Sequence, residues 1–162
     1  MSNVRIVGVM ACGKNGVVGN NGAIPWNYPD EFQHFKGTIG NHPIVLGRKS
    51  FDLLPKSISE DRINIVFSRQ KKLDTHGGIV VSSLEEFYAL DILKNTDKIF
   101  MIGGAQLANF FLEKNLITEF ILTKFDRAYA GDAVLNIKTF NSWKSKVIKK
   151  TPDYTIYKLT SE

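Results

Sequence analysis

One cysteine, Cys12, stands in 162 residues, which excludes an intramolecular disulfide and a cysteine-based metal cluster. It closes the apolar run VRIVGVMAC, where a buried inert thiol is expected rather than a nucleophile. The three histidines, His34, His42 and His76, show no ligand spacing, and no carboxylate cluster suggests a bound cation. A G-x-S-x-G serine elbow is missing as well. No apolar run reaches membrane-spanning length, and the opening MSNVRIVG lacks a signal-peptide core, so a cytoplasmic chain without a membrane partner is expected. Repeats, linkers and low-complexity stretches are absent too. One domain over residues 1–162 is the expectation.

What is present is an ordinary globular composition with a basic balance. Net charge is +5 and the pI about 9.3, which suits an anionic partner. The basic residues are scattered except for short runs such as Lys71-Lys72 and Lys149-Lys150, so a nucleic-acid groove is not expected.

Short apolar runs alternate with helical stretches. VRIVGVMAC (4–12), PIVLG (43–47), INIVFS (63–68), GIVVS (78–82), KIFMI (98–102) and FILTKFD (120–126) read as buried strands. Helices are expected from Pro29 to about Gly40, over RKSFDLL, from Ser83 with a capping box to Glu86, and over AQLANFFLEKN. WKSKVIKK and YTIYKLT alternate as antiparallel edge strands do. The loop with Gly13, Gly16, Gly19 and Gly22 is too glycine-rich for a regular element. The fold class is therefore α/β, mostly parallel with an antiparallel end.

Three strand ends carry the chemistry. In IGGAQLANF, Gly103 and Gly104 follow a strand and open a helix, whose free N–H groups suit an anion. In VLGRKSF, Gly47 ends a strand and Arg48, Lys49 and Ser50 enter a helix, and FSRQ places Ser68 and Arg69 at a third strand end. Ligands of open α/β sheets bind outside the carboxyl ends of the strands. A ribose read through its hydroxyls would call for an acidic residue there, whereas Arg48, Lys49 and Arg69 suit a 2′-phosphate and point to NADPH.

AIPWNYPDEFQHFK (23–36) poses a separate question. Pro29 suits a first helical turn, which sets Glu31 in that turn with Phe35 at i+4 on the same aromatic face. Its carboxylate either favours the positive helix end or points into an apolar site.

VVGNNGAIPWNYPDEFQHFK, PIVLGRKSF, INIVFSRQ, MIGGAQL, FILTKF and GDA stand in the order and spacing of the dihydrofolate reductases, and residues 4 to about 135 resemble that family. The resemblance implies an eight-stranded, mostly parallel sheet with an antiparallel C-terminal strand and four flanking helices. It implies NADPH-dependent reduction of 7,8-dihydrofolate, inhibition by antifolates, and a monomer. By motif, Glu31 holds the pterin, Thr123 supports it through a water, and Trp26 orders that network. Val9 and Ile102 line the pterin's far edge. Ile24, Phe32, Phe35 and Leu54 form apolar walls, and Arg62 pairs with the glutamate tail. Ala11 and Val18 contact nicotinamide. Gly47, Arg48, Lys49, Ser50, Phe67, Ser68, Arg69, Ile102, Gly103, Gly104, Ala105, Gln106 and Leu107 hold the rest of the cofactor. The loop from Gly13 to Ile24 resembles the family's active-site lid, with Gly131-Asp132 its brace.

Three departures stand out. Ala108 occupies the place of a nicotinamide-contacting tyrosine, the segment after Gly131-Asp132 is Ala-Val-Leu-Asn where the family has an aromatic-Pro pair, and the loop before Arg62 has no Pro-Gly turn. The first two would also suit a cofactor-binding homologue without turnover. The related pyrimidine reductase of riboflavin synthesis shares the sheet but lacks the PW-x-x-P-acid segment.

Overall fold

Residues 4–20, 24–60, 62–70 and 77–161 are described by a computed structural model of the chain. Gly22, Lys71, Lys72 and His76, singled out above, lie outside the described residues.

In chain order the elements are β1 (Arg5–Cys12), β2 (Val17–Gly19), α1 (Pro29–Ile39), β3 (Ile44–Gly47), α2 (Arg48–Leu53), α3 (Lys56–Ser59), β4 (Asn64–Phe67), β5 (Ile79–Val81), α4 (Leu84–Tyr88), α5 (Asp91–Lys94), β6 (Lys98–Met101), α6 (Ala105–Glu113), β7 (Glu119–Phe125), β8 (Ala133–Val134), β9 (Lys144–Lys150) and β10 (Tyr154–Thr160). Eight strands form one sheet in the order β5-β4-β3-β6-β1-β7-β10-β9. Strand β10 pairs antiparallel with both neighbours, and every other pairing in this sheet is parallel. Among the described residues, α1, α2, α4 and α6 are the α-helices longer than a single turn, matching the four expected, and a short 3-10 helix spans Ile137–Ser142.

Strand β1 shows why the central runs are apolar without alternation. Ile6, Met10 and Cys12 face one core layer with Phe87, Phe111 and Phe120, while Val7 and Val9 face the other with Ile44, Leu46 and Phe100. Both faces of the strand are covered, so both sets of side chains must be apolar. Burial pushes the Cys12 thiol up to about 12, which leaves it unreactive.

Local signals explain the helix starts. Pro29 takes the first position of α1, with Asp30 and Glu31 in its first turn. Ser83 caps α4 by accepting from the Glu86 amide at 3.1 Å. The return bond of the capping box goes to the Ser82 amide, at 2.8 Å, and not to Ser83.

Two expectations are corrected. YTIYKLT is not an edge strand: β10 lies between β7 and β9 with Tyr154, Ile156 and Leu159 buried. Of these two C-terminal strands β9 alone is an edge, exposed along its whole length, and its lysines disfavour pairing with another chain. The glycine-rich loop does contain a regular element, because Val17–Gly19 pairs antiparallel with Ala133–Val134 in a small second sheet. Among the described residues no helix is long and apolar enough to cross a membrane.

Candidate active site

Parallel pairing brings the carboxyl ends of β3, β4 and β6 side by side, since Gly47 aligns with Phe67 and Val45 with Met101. There the Gly47 amide donates to the Gly103 carbonyl at 2.8 Å, joining the two glycine junctions. Gly103 has φ +115°, and a Cβ on it would lie 3.1 Å from Met10 Cε. Glycine is therefore required by backbone and by space. A Cβ on Gly104 would meet Ser50 Oγ at 3.1 Å, so Ser50 adjoins the start of α6. Gly104 caps α6 without a side-chain hydrogen bond, which leaves the first helical N–H groups for an anion.

Three cations stand at the neighbouring strand ends. Arg48, Lys49 and Arg69 are exposed at the ends of β3 and β4. Arg48 Nε lies 3.9 Å from Asp52 Oδ2 in an exposed pair of little strength. Ser68 Oγ accepts from the Gln70 amide at 3.0 Å. Phe67 turns its ring onto Phe87 and Phe111, at 5.4 and 5.6 Å. Along α6, Ala105 and Ala108 are buried, Leu107 packs against the core, and Gln106 is exposed. Val18 of β2 packs on the same core layer as Met10.

The second half of the site sits on the opposite layer. Ala11, Trp26, Phe32, Phe35, Leu54 and Ile102 are half-buried and pack against one cluster that includes Val9, Val7 and Ile121. Phe32 and Phe35 lie 6.3 Å apart, and Trp26 tilts over Phe125 at 4.7 Å and Tyr129 at 5.2 Å. Register sets Ala11 of β1 opposite Thr123 of β7.

Within this apolar setting stands Glu31. Burial pushes its carboxyl up to about 7, against the Thr123 hydroxyl, which hydrogen-bonds the charged form, and with the Asp30 charge adding to the rise. Thr123 is itself buried. Glu31 is thus a first-turn acid of α1 whose carboxyl is shielded from water.

Arg62 stands apart. Its Nε donates to the Ile58 carbonyl at 2.5 Å and its Nη1 to the His42 carbonyl at 3.0 Å. It lines a cleft of about 770 Å³ with Lys56, Asn64 and Phe51. Phe51, like Phe32 and Leu54, also packs against the buried cluster that holds Ile44 and Ile58. Ile24 is 64% exposed and does not join that cluster.

Sequence reasoning left out Phe51, Tyr28 and Tyr129. Phe51 stands in the quoted PIVLGRKSF motif and could have been found there, whereas Tyr129 lies in a loop with no local pattern. The chain matches the family model described as dihydrofolate reductase over residues 5–159. It is 28% identical over 149 residues to the dihydrofolate reductase of Staphylococcus haemolyticus, covering 92% of this chain and 87% of that protein. It is 31% identical over 141 residues to the dihydrofolate reductase of Neisseria meningitidis serogroup B, covering 87% and 85%. With the dihydrofolate reductase of Neisseria gonorrhoeae it shares 33% over 130 residues, 80% of this chain and 78% of that one.

Proposed function

The chain belongs to the dihydrofolate reductase family, and we propose on that footing that it reduces 7,8-dihydrofolate to 5,6,7,8-tetrahydrofolate with NADPH. The observation that carries this reading is Glu31, a half-buried acid in the first turn of α1, followed by the half-buried Phe32 and Phe35, with its carboxyl raised by burial.

The residues present fit the cofactor. Gly103 and Gly104 carry no Cβ where one would press on Met10 and Ser50, and the uncapped start of α6 offers N–H groups to a pyrophosphate. Arg48, Lys49 and Arg69 would hold the 2′-phosphate, with Ser50 and Ser68 beside them. Ala11 and Val18 would flank the nicotinamide. When bound, NADPH supplies a hydride to C6 of the pterin.

The protein's own work is binding, orientation and charge. Glu31 pairs with N3 and the 2-amino group, so it is committed at that edge and water supplies the proton at N5. Its negative charge, in a site dried by Phe32, Phe35 and Trp26, favours the cationic protonated pterin over the neutral one. Arg62, already anchored through two backbone carbonyls, takes the tail's α-carboxylate in the cleft it lines. Antifolates would compete for the Glu31 site, and the enzyme would act as a one-domain cytoplasmic monomer.

Loss of NADPH absorbance that depends on added dihydrofolate is the expected result. NADPH binding without such turnover would assign the chain to an idle cofactor-binding homologue.

A further inference from the structure

The side-chain amide of Asn109, on α6, makes two hydrogen bonds to one backbone segment. Its Nδ2 donates to the Val134 carbonyl at 3.0 Å, and its Oδ1 accepts from the Asn136 amide at 2.8 Å. A primary amide is the side chain that matches such a donor-acceptor pair, as a neighbouring strand would.

The residue between these two partners faces the glycine loop. The Leu135 amide donates to the Gly16 carbonyl at 2.9 Å, and β8 pairs with β2 at Val17 with Val134 and Gly19 with Ala133. A Cβ on Gly131 would lie 2.3 Å from the Gly19 carbonyl oxygen, so the two segments are in direct backbone contact. Segment 131–136 is therefore held on one side by Asn109 and holds residues 16–19 on the other. Asn109 lies four residues beyond Ala105, about 6 Å along the helix axis from the first residue of α6 at 1.5 Å per residue.

We propose that Asn109 is a positioning residue for hydride transfer: it ties β8 to α6 and so sets β2, with Val18, beside the start of α6. The inference rests on the NADPH site proposed above. It also gives physical content to the departure after Gly131-Asp132. At position 136 a proline would have no N–H to offer, whereas Asn136 donates its N–H to Asn109.

Asn136 has φ −76°, which proline accepts, so Asn136→Pro deletes that donor with little strain. The test compares Asn109→Ala, Asn136→Pro and the double variant in the full chain. In the free protein, amide exchange at residues 17–19 and 133–135 should quicken about fivefold or more in Asn109→Ala while the melting temperature barely moves. Single-turnover hydride transfer and NADPH affinity should fall about five- to tenfold, the scale of one or two lost hydrogen bonds, with KM for dihydrofolate nearly constant. The double variant should lose little beyond the worse single variant, because both remove one clamp. Unchanged exchange at those amides overturns the proposal. So does a loss that tracks a lowered melting temperature and affects both ligands equally. A wild-type protein without dihydrofolate-dependent NADPH oxidation would remove the catalytic reading instead, and the exchange arm would still decide whether Asn109 holds the loop.

Discussion

The phenol of Tyr154 donates a 2.5 Å hydrogen bond to Asp30 Oδ2, tying β10 to the first turn of α1 one residue before Glu31. The bond draws Asp30 below its ordinary carboxylate value. Burial, then the Asp30 bond, pushes Tyr154 up to about 12, so it remains a donor at neutral pH. The backbone from which Glu31 projects is thus pinned by a residue more than a hundred positions away.

Tyr154→Phe keeps the ring and removes the bond. Asp30 is depressed in the folded state, so the stability it contributes is present above its ordinary value and is lost as pH falls through the depressed one. The variant should melt below wild type at neutral pH, with the gap closing in acid. Melting curves across the acidic range check this, and a gap that persists there would trace the loss to packing.

Arg69 tests cofactor choice. A charged hydrogen bond to phosphate is worth about 1.5–3 kcal/mol, roughly 10- to 100-fold in affinity. Arg69→Ala should weaken NADPH by that order and leave NADH nearly unchanged. Titration of both cofactors decides, and equal losses would show that Arg69 does not read the 2′-phosphate.

Arg62 has two roles to separate. Contact with a distant tail carboxylate stabilises ground and transition states alike, so Arg62→Leu should raise KM for dihydrofolate far more than it lowers kcat. A pterin without the tail should be turned over nearly as before. The variant should also lose some thermal stability, because the Ile58 and His42 carbonyls lose their donor. Equal damage with the tailless pterin would leave Arg62 a structural clasp.

The central sheet was legible because burial on both faces of β1, β3, β4, β6 and β7 demands continuous apolar runs. The start of α1 was legible from Pro29, and the junctions from Gly47, Gly103 and Gly104. Strand β10 was misjudged because YTIYKLT alternates like an edge strand; its place beside β7 is decided by pairing, which composition does not carry. The β2–β8 pair was invisible for a related reason. Three residues in a glycine-rich loop become a strand only through a partner more than a hundred residues later. Nothing within AQLANFFLEKN marks Asn109, and only the fold brings Val134 and Asn136 to it.

Glu31 carries the sharpest prediction, because its charge and its burial act in opposite directions. Burial raises its carboxyl from 4.5 to about 7 in the unliganded protein. A raised folded-state value means stability is fully present below the ordinary value and declines as pH rises through about 7. Glu31→Gln removes that decline. The variant should equal wild type near pH 4 and exceed it increasingly up to neutral pH, by about 3 kcal/mol at 1.36 kcal/mol per pH unit. Catalysis should move the other way. Without the carboxylate the cationic pterin loses its counter-charge, so hydride transfer at pH 7 should fall by orders of magnitude. Partial recovery is expected at low pH, where more substrate arrives protonated, and NADPH affinity should hold. Paired melting and single-turnover profiles against pH check both halves. A variant that is more stable yet turns over normally at pH 7 would leave Glu31 a helix-end charge with no part in the chemistry.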